Sequence, residues 1–179
     1  MNWHSNALPL QHEITKHRQK IKNYLNMKLA EALSHRTALA DKIREAESRL
    51  VENVKVQEGD TPAEDPTAVI LDLESTLADL QTLIYRINLT NTRTIVGGRS
   101  LTDLLAERDM AKQRARVLSA ALKHLTERGD RFSRNEIKYV PTIDSAELRR
   151  RYEEAVSRLR KLDLLIQSVG WTTELLTKD

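Results

Sequence analysis

The sequence contains no cysteine, which removes disulfides, thiolate metal sites and cysteine nucleophiles together. Aromatic residues make up only 4% of the chain, with a single Phe132, too few for the cross-strand packing of a β-sandwich or barrel. Its five glycines and four prolines fall mostly between periodic stretches, so the elements they separate are long and uninterrupted. No apolar run approaches the ~18 residues of a membrane span, and residues 1–26 hold no apolar core of signal-peptide length. A cytoplasmic protein is expected, with no membrane partner. There is also no phosphate-cradling glycine loop and no G-x-S-x-G elbow, so no catalytic residue can be named and no cofactor follows from the sequence.

What the chain does contain is 179 residues that are 40% hydrophobic and 31% charged, enough for a core shared among a few helices. Its formal net charge of +3 sits in the first 26 residues, where Lys16, Arg18, Lys20 and Lys22 face only Glu13. The remainder is neutral, and no nucleic acid is expected to bind residues 27–179. That remainder is asymmetric, however. Residues 52–79 hold eight acidic side chains and only Lys55, whereas residues 99–134 hold nine basic and five acidic. Complementary faces of an assembly account for this at least as well as an anionic partner.

Residues 1–26 are expected to form a partly ordered arm, with Met27 a candidate functional start and residues 27–179 a single helical domain. Helix one should run over residues 27–54, with Leu29, Leu33, Ala40, Ile43, Leu50 and Val54 on one face and Arg36 and Glu47 in two slots of that seam. Asp65 and Pro66 mark the start of helix two, Asp as a cap and Pro at the first helical position. Its stripe of Val69, Ile70, Leu73, Leu77, Leu80, Leu83, Ile84 and Ile87 is broader than that of helix one, which predicts the most buried helix. Around Gly97-Gly98 a hairpin and a mobile loop are equally open. Ser100 and Asp103 resemble a capping box opening helix three, whose seam is Leu101, Leu104, Ala111, Ala115, Leu118, Leu122 and Leu125, with Arg108 in an otherwise apolar slot. Asp144 and Glu147 repeat the capping pattern before helix four. There Leu148, Tyr152, Ala155, Leu159, Leu162, Ile166 and Val169 line one face, Glu147–Arg151 and Glu154–Arg158 are acid-before-base pairs, and Gly170 is expected to stop the helix.

The candidate site residues come from the interruptions in these patterns. A guanidinium in a helix seam must be paired or reach water, so Arg36 and Arg108 either bind an anion or a metal-bridged carboxylate in a polar layer, or fix register or subunit pairing, or sit at a bundle end. The longest polar stretch of the second half, residues 133–144, brings Arg134, Glu136, Lys138 and Tyr139 into a short span. With Arg108 and Asp109 as neighbours it could hold a carboxylate or phosphate, or equally form salt bridges to Arg108, Asp109 or the acidic loop of a neighbouring copy. Glu136 is the candidate acidic partner for Arg36 and Arg108. A metal is a further option, for which Asp103 and Glu107, on one helix face, are the candidate ligands. The Glu-x-x-His pairs of a di-iron bundle are absent.

Several strings resemble a known family: KLAEAL (28–33), VQEGDTPAEDP (56–66), RINLTN (86–91), SLTDLLAERD (100–109), EIKYV (136–140) and WTTELL (171–176). Together they are similar to the septicolysin-like family of bacterial proteins, over about residues 27–176. That resemblance implies a helical fold with homo-oligomeric assembly and offers no catalytic residues to carry across. The combined expectation is an all-α fold: an antiparallel, coiled-coil-like bundle of four long helices with a short extended segment between helices three and four. Its function is expected to be that of a non-enzymatic homo-oligomer assembled through helix seams. The alternatives are a pore-forming, cytolysin-like membrane-active protein and a small-anion or metal-binding protein.

Overall fold

The computed structural model of the chain describes residues 27–126 and 140–177. Among them are α1 (Leu29–Asn53), α2 (Pro66–Arg93), β1 (Ile95–Val96), β2 (Arg99–Ser100), α3 (Leu101–Thr126) and α4 (Ser145–Thr172). The all-α expectation holds, with four long helices and one two-stranded antiparallel hairpin. The amino-terminal arm at 1–26 and the extended segment expected at 133–139 lie outside the described residues. The described residues divide into two compact units: those from 27 to 94 together with 170–177, and those within 95–169.

In the first unit α1 and α2 form a helical hairpin whose turn is pinned by side chains. Asn53 is buried at the end of α1, where its amide donates to the Arg49 carbonyl at 2.9 Å and its Oδ1 accepts the Glu64 N–H at 2.9 Å. Arg49 Nε in turn donates to Glu64 Oε2 at 2.8 Å. Asp65 then caps α2 as its sequence position predicts, accepting the Thr67 N–H at 2.9 Å, and Pro66 occupies the first turn, where a missing N–H costs nothing.

The α1 seam differs by one residue from the expectation. Leu29, Ala32, Leu39, Ala46 and Asn53 are buried, with Ile43 and Leu50 half-buried, whereas Leu33 and Val54 are exposed. Both registers share Leu29, Arg36, Ile43 and Leu50, and they part at the alternate slots. The observed choice brings small Ala32 and Ala46 against α2, which permits close approach of two helices, and it keeps Glu47 in water, whose burial would cost several kcal/mol, on the order of a desolvated ion. On α2 the seam follows Val69, Leu73, Leu80, Leu83, Ile87 and Thr90, while Ile70, Leu77 and Ile84 remain partly exposed. The broad apolar stripe of α2 is therefore not wholly core, although Val69, Leu83, Ile87 and Thr90 on this helix are among the most deeply buried side chains.

Three segments far apart in sequence meet at the open end of this hairpin. Residues 27–29 and 173–175 form a short antiparallel bridge, with Leu29 N–H donating to Thr173 O at 2.9 Å and Leu175 N–H to Met27 O at 2.8 Å. Lys28 and Glu174 add an exposed ion pair at 3.1 Å. Arg86, only 6% exposed, lies under the same tail. Its Nε donates to the Leu176 carbonyl at 2.8 Å, and Nη2 is 3.5 Å from that of Leu175. Thr90, fully buried, completes the fastening: its hydroxyl accepts the Leu176 N–H at 3.0 Å and donates to the Arg86 carbonyl at 2.8 Å. Gly170 does not stop α4, which continues to Thr172. Instead it is buried against Ala30, and a Cβ placed on it would meet the Ala30 Cβ at 3.7 Å, ordinary contact.

The second unit opens with the hairpin. Ile95 pairs with Ser100 and Val96 with Arg99, across a turn in which Gly97 and Gly98 have φ of 59° and 80°. Two successive positive φ values define a type I′ turn, which favours glycine at both positions. The hairpin reading of this stretch is the one realised. Ser100 Oγ accepts the Asp103 N–H at 3.1 Å and starts α3, while Asp144 Oδ1 accepts the Ala146 N–H at 2.8 Å and starts α4. Along α3, Leu101, Leu104, Ala111 and Ala115 are buried and Leu118, Leu122 and Leu125 half-buried. Along α4, Leu148, Ala155 and Leu162 are buried and Tyr152, Leu159, Ile166 and Val169 half-buried. Both seams follow the sequence pattern position for position.

Two stability measurements check the first unit. Gly170→Ala should raise stability by up to about 1 kcal/mol, read as a higher urea midpoint, because it removes the helical glycine penalty without a clash; a lower midpoint would show that the approach to Ala30 is tighter than 3.7 Å. Arg86→Leu should lower stability by about 2 kcal/mol, the cost of leaving acceptors of a charged donor unmet. It should also speed amide exchange at Leu175 more than at Leu39.

Candidate functional site

The candidate residues fall in different places. Arg36 occupies its seam slot on α1, yet its side chain is exposed. A long aliphatic stem lets the guanidinium reach water from an apolar seam, so solvation answers the requirement that suggested a buried partner. Arg108 is half-buried on α3, and its acidic partner is its own neighbour: Nε donates to Asp109 Oδ1 at 2.9 Å and Nη2 lies 2.8 Å from the same oxygen. Arg134, Glu136, Lys138 and Tyr139 lie outside the described residues, and with them the proposed closure of Glu136 over the two arginines.

Asp103 and Glu107, the candidate metal ligands, are the centre of the most developed polar arrangement in the second unit. Arg99, delivered by the type I′ hairpin, donates from Nε to Asp103 Oδ2 at 2.6 Å and from Nη1 to Glu107 Oε2 at 2.6 Å. Arg158 reaches from α4 and donates from Nε to the other Glu107 oxygen, Oε1, at 2.5 Å. Glu107, half-buried, is thus shared between two guanidinium groups and ties α3 both to the hairpin and to α4. Charge-assisted bonds of this kind are about twice as strong as neutral ones.

The electrostatics follow from the geometry. Hydrogen bonds from Arg99 and then Arg158 hold the Glu107 carboxyl below the usual carboxylate range, and Arg99 does the same for Asp103. Arg99 is raised in return. A general acid or base works best with a pKa near the working pH, and these carboxyls are moved away from it. Both oxygens of Glu107 are taken by guanidinium donors, so a cation would have to displace them. Among the described residues no group of three or more His, Cys, Asp or Glu side chains is placed to hold a metal ion. The network is built to hold three elements of one unit together.

A second charged cluster sits on the first turns of α4. Glu147 accepts from Arg150 Nε at 2.8 Å and from Arg151 Nε at 2.6 Å, and these bonds hold its carboxyl down at about 2. The expected Glu147–Arg151 pair is present. Glu154 instead joins Arg150, because Arg158 is drawn across to Glu107. A shallow open depression on the α1–α2 loop is lined by Lys55, Val56, Gln57, Asp60 and Thr61. It has neither the enclosure nor the apolar lining of a ligand pocket.

Sequence reasoning overlooked the residues that carry the most structure. Arg86 and Thr90 stand four apart on α2, within a string quoted only for its resemblance, and their fastening of residues 173–176 depends on a contact some 90 residues away. Arg99 was legible in part, since Asp103 and Glu107 follow it at four and eight residues.

Residues 36–175 match the model of a family of unknown function, DUF6847. The chain belongs to that family. It is also similar to a functionally unknown conserved protein from Corynebacterium diphtheriae whose crystal structure is known. The two are 40% identical with a TM-score of 0.80, over 84% of this chain and 99% of that one. No curated protein is similar to the chain. Neither match carries an activity or the septicolysin-like resemblance; the fold is what this chain has in common with that crystal structure. Among the described residues no helix is long and apolar enough to cross a membrane.

The charge network yields a pH signature. The folded-state pKa of Glu107 lies below its ordinary value of 4.5, so its stabilisation is complete above that value and is lost as pH falls through the folded pKa. Glu107→Gln should therefore melt below wild type at neutral pH, with the gap closing in acid. A gap that stays constant from pH 7 to pH 3 would mean that the carboxylate charge is not what holds α3 to α4.

Proposed function

We propose that the protein works without catalytic turnover, as a helical protein that assembles with copies of itself. The observation that carries this reading is the outer face of α2. Behind its seam, Ile70, Leu71, Leu77, Ile84 and Tyr85 are 44%, 68%, 40%, 39% and 48% exposed. Their spacing repeats every seven residues, so they form one continuous strip. The exposed area is on the order of 500 Å², at the upper end of what monomers leave in one patch, and patches of that size commonly mark interaction sites.

The polar groups support the same reading by being used elsewhere. Arg99, Asp103, Glu107 and Arg158 bind one another, Arg49 binds Glu64, and Arg86 holds the tail. These arrangements brace helices. The charge asymmetry of the chain, acidic over residues 52–79 and basic over 99–134, gives further means for copies to attract one another.

Sedimentation velocity across 1–50 μM protein, roughly the span over which a moderately tight dimer dissociates, tests this. A species of at least twice the chain mass is expected, and a single monomer throughout the range would remove the proposal.

A further inference from the structure

We propose that α2 pairs antiparallel with α2 of a second copy, about a two-fold axis passing between Leu77 and Ala78. This inference rests on the self-assembly reading and deepens it by naming the surface and its geometry. The outer face of α2 is built from residues 70, 71, 74, 77, 78, 81, 84 and 85, in which Glu74 is the only charge. Its large apolar members are exposed.

The order of side chains on this face is close to palindromic. Under the proposed axis, residue n of one copy faces residue 155 minus n of the other. Ile70 then meets Tyr85, Leu71 meets Ile84, and Leu77 meets Ala78, so a large side chain is set against a small one at the centre, where the helices come closest. Glu74 meets Gln81, whose amide can donate to the carboxylate.

Parallel pairing of the same face makes a different prediction for its one charge. Glu74 would stand beside Glu74 of the second copy, a like-charge contact at a buried position, which is destabilising. The helix dipoles would also align side by side rather than opposed. The antiparallel arrangement avoids both. Two such faces bury on the order of 1,000 Å² in total, the threshold for a specific interface, and a two-fold contact uses the same patch on each partner.

Because the chain has no cysteine, single introduced cysteines report the geometry in the full-length protein. Ala78→Cys lies at the axis on an exposed position and should form a disulfide-linked dimer under mild oxidation. In Ile70→Cys the two thiols would be separated by 15 residues along antiparallel helices, about 22 Å, well beyond the ~7 Å that a disulfide spans between Cα atoms. It should stay unlinked alone and cross-link when mixed with Tyr85→Cys. Self-linking of Ile70→Cys as efficient as that of Ala78→Cys would overturn the antiparallel arrangement. Leu77→Glu should shift the sedimenting species to monomer with an unchanged helical circular-dichroism spectrum. If wild type is a dimer while Leu77→Glu remains one and Ala78→Cys fails to link, self-assembly stands and this surface is wrong. If wild type is a monomer, both fall.

Discussion

The first unit depends on one buried guanidinium. Arg86 sits on the apolar side of α2 at 6% exposure, where an unmet charge would be strongly unfavourable. The backbone of residues 175 and 176 meets it, through the carbonyls of Leu175 and Leu176. Release of the tail would break both of these contacts with a buried charge. Thr90 reinforces this coupling by joining the same two partners, accepting from Leu176 N–H and donating to the Arg86 carbonyl. The bridge between residues 27–29 and 173–175 then sets where α1 begins. In this way the end of α4, the start of α1 and the last turns of α2 are joined to one another, and the α1–α2 hairpin is held at its open end as well as at its turn, where Asn53 meets Glu64.

The second unit solves a similar problem with exposed charge. Its two helices have narrow seams with alanine at positions 111, 115 and 155, which offer little apolar area. Glu107 compensates by accepting from Arg99 and Arg158 on opposite oxygens. The turn that presents Arg99 is a glycine pair with positive φ, so a backbone requirement at Gly97 and Gly98 reaches the helix interface through one side chain. Two carboxylates four residues apart on a helix suit a cation whether that cation is a metal ion or a guanidinium. The sequence reading noticed Asp103 and Glu107 for the first reason; the second is the one the structure realises, and Arg99, at the right spacing just upstream, was the sign of it.

Legibility followed the kind of interaction involved. The seams of α3 and α4 were read correctly because only one face of each carries apolar residues at three- and four-residue spacing, so register was not in doubt. On α1, Leu33 and Val54 competed with Ala32 and Asn53 for the seam. The outcome rested on how closely α2 could approach, a tertiary matter that periodicity does not encode. Gly170 looked like a terminator because glycine usually is one just past a helix; here it lies within the helix, beside Ala30. Caps at Asp65, Ser100 and Asp144 are local and were foreseen, whereas the Arg86 fastening and the Arg158–Glu107 link span 90 and 51 residues and were not. Arg36, read as needing either a partner or water, is exposed, its long stem carrying the guanidinium clear of a narrow seam.

The breadth of the α2 stripe exceeds what the hairpin alone uses. A helix in a two-helix hairpin can present only about a third of its circumference to its partner, and apolar residues beyond that arc gain nothing from the hairpin itself. In α2 the surplus is not scattered. Ile70, Leu77 and Ile84, with Leu71 and Tyr85 beside them, repeat at seven residues over the same span as the seam. The seam side uses Thr90 and Arg86 to grip the tail, and the outer side carries a single acid, Glu74, set symmetrically with Gln81 about the centre of the strip. Random surface hydrophobicity, which every soluble protein has, carries no such repeat and no such symmetry. The same helix therefore satisfies two constraints at once: one face closes the hairpin, and the other has the spacing, area and charge placement that a second copy of itself would meet.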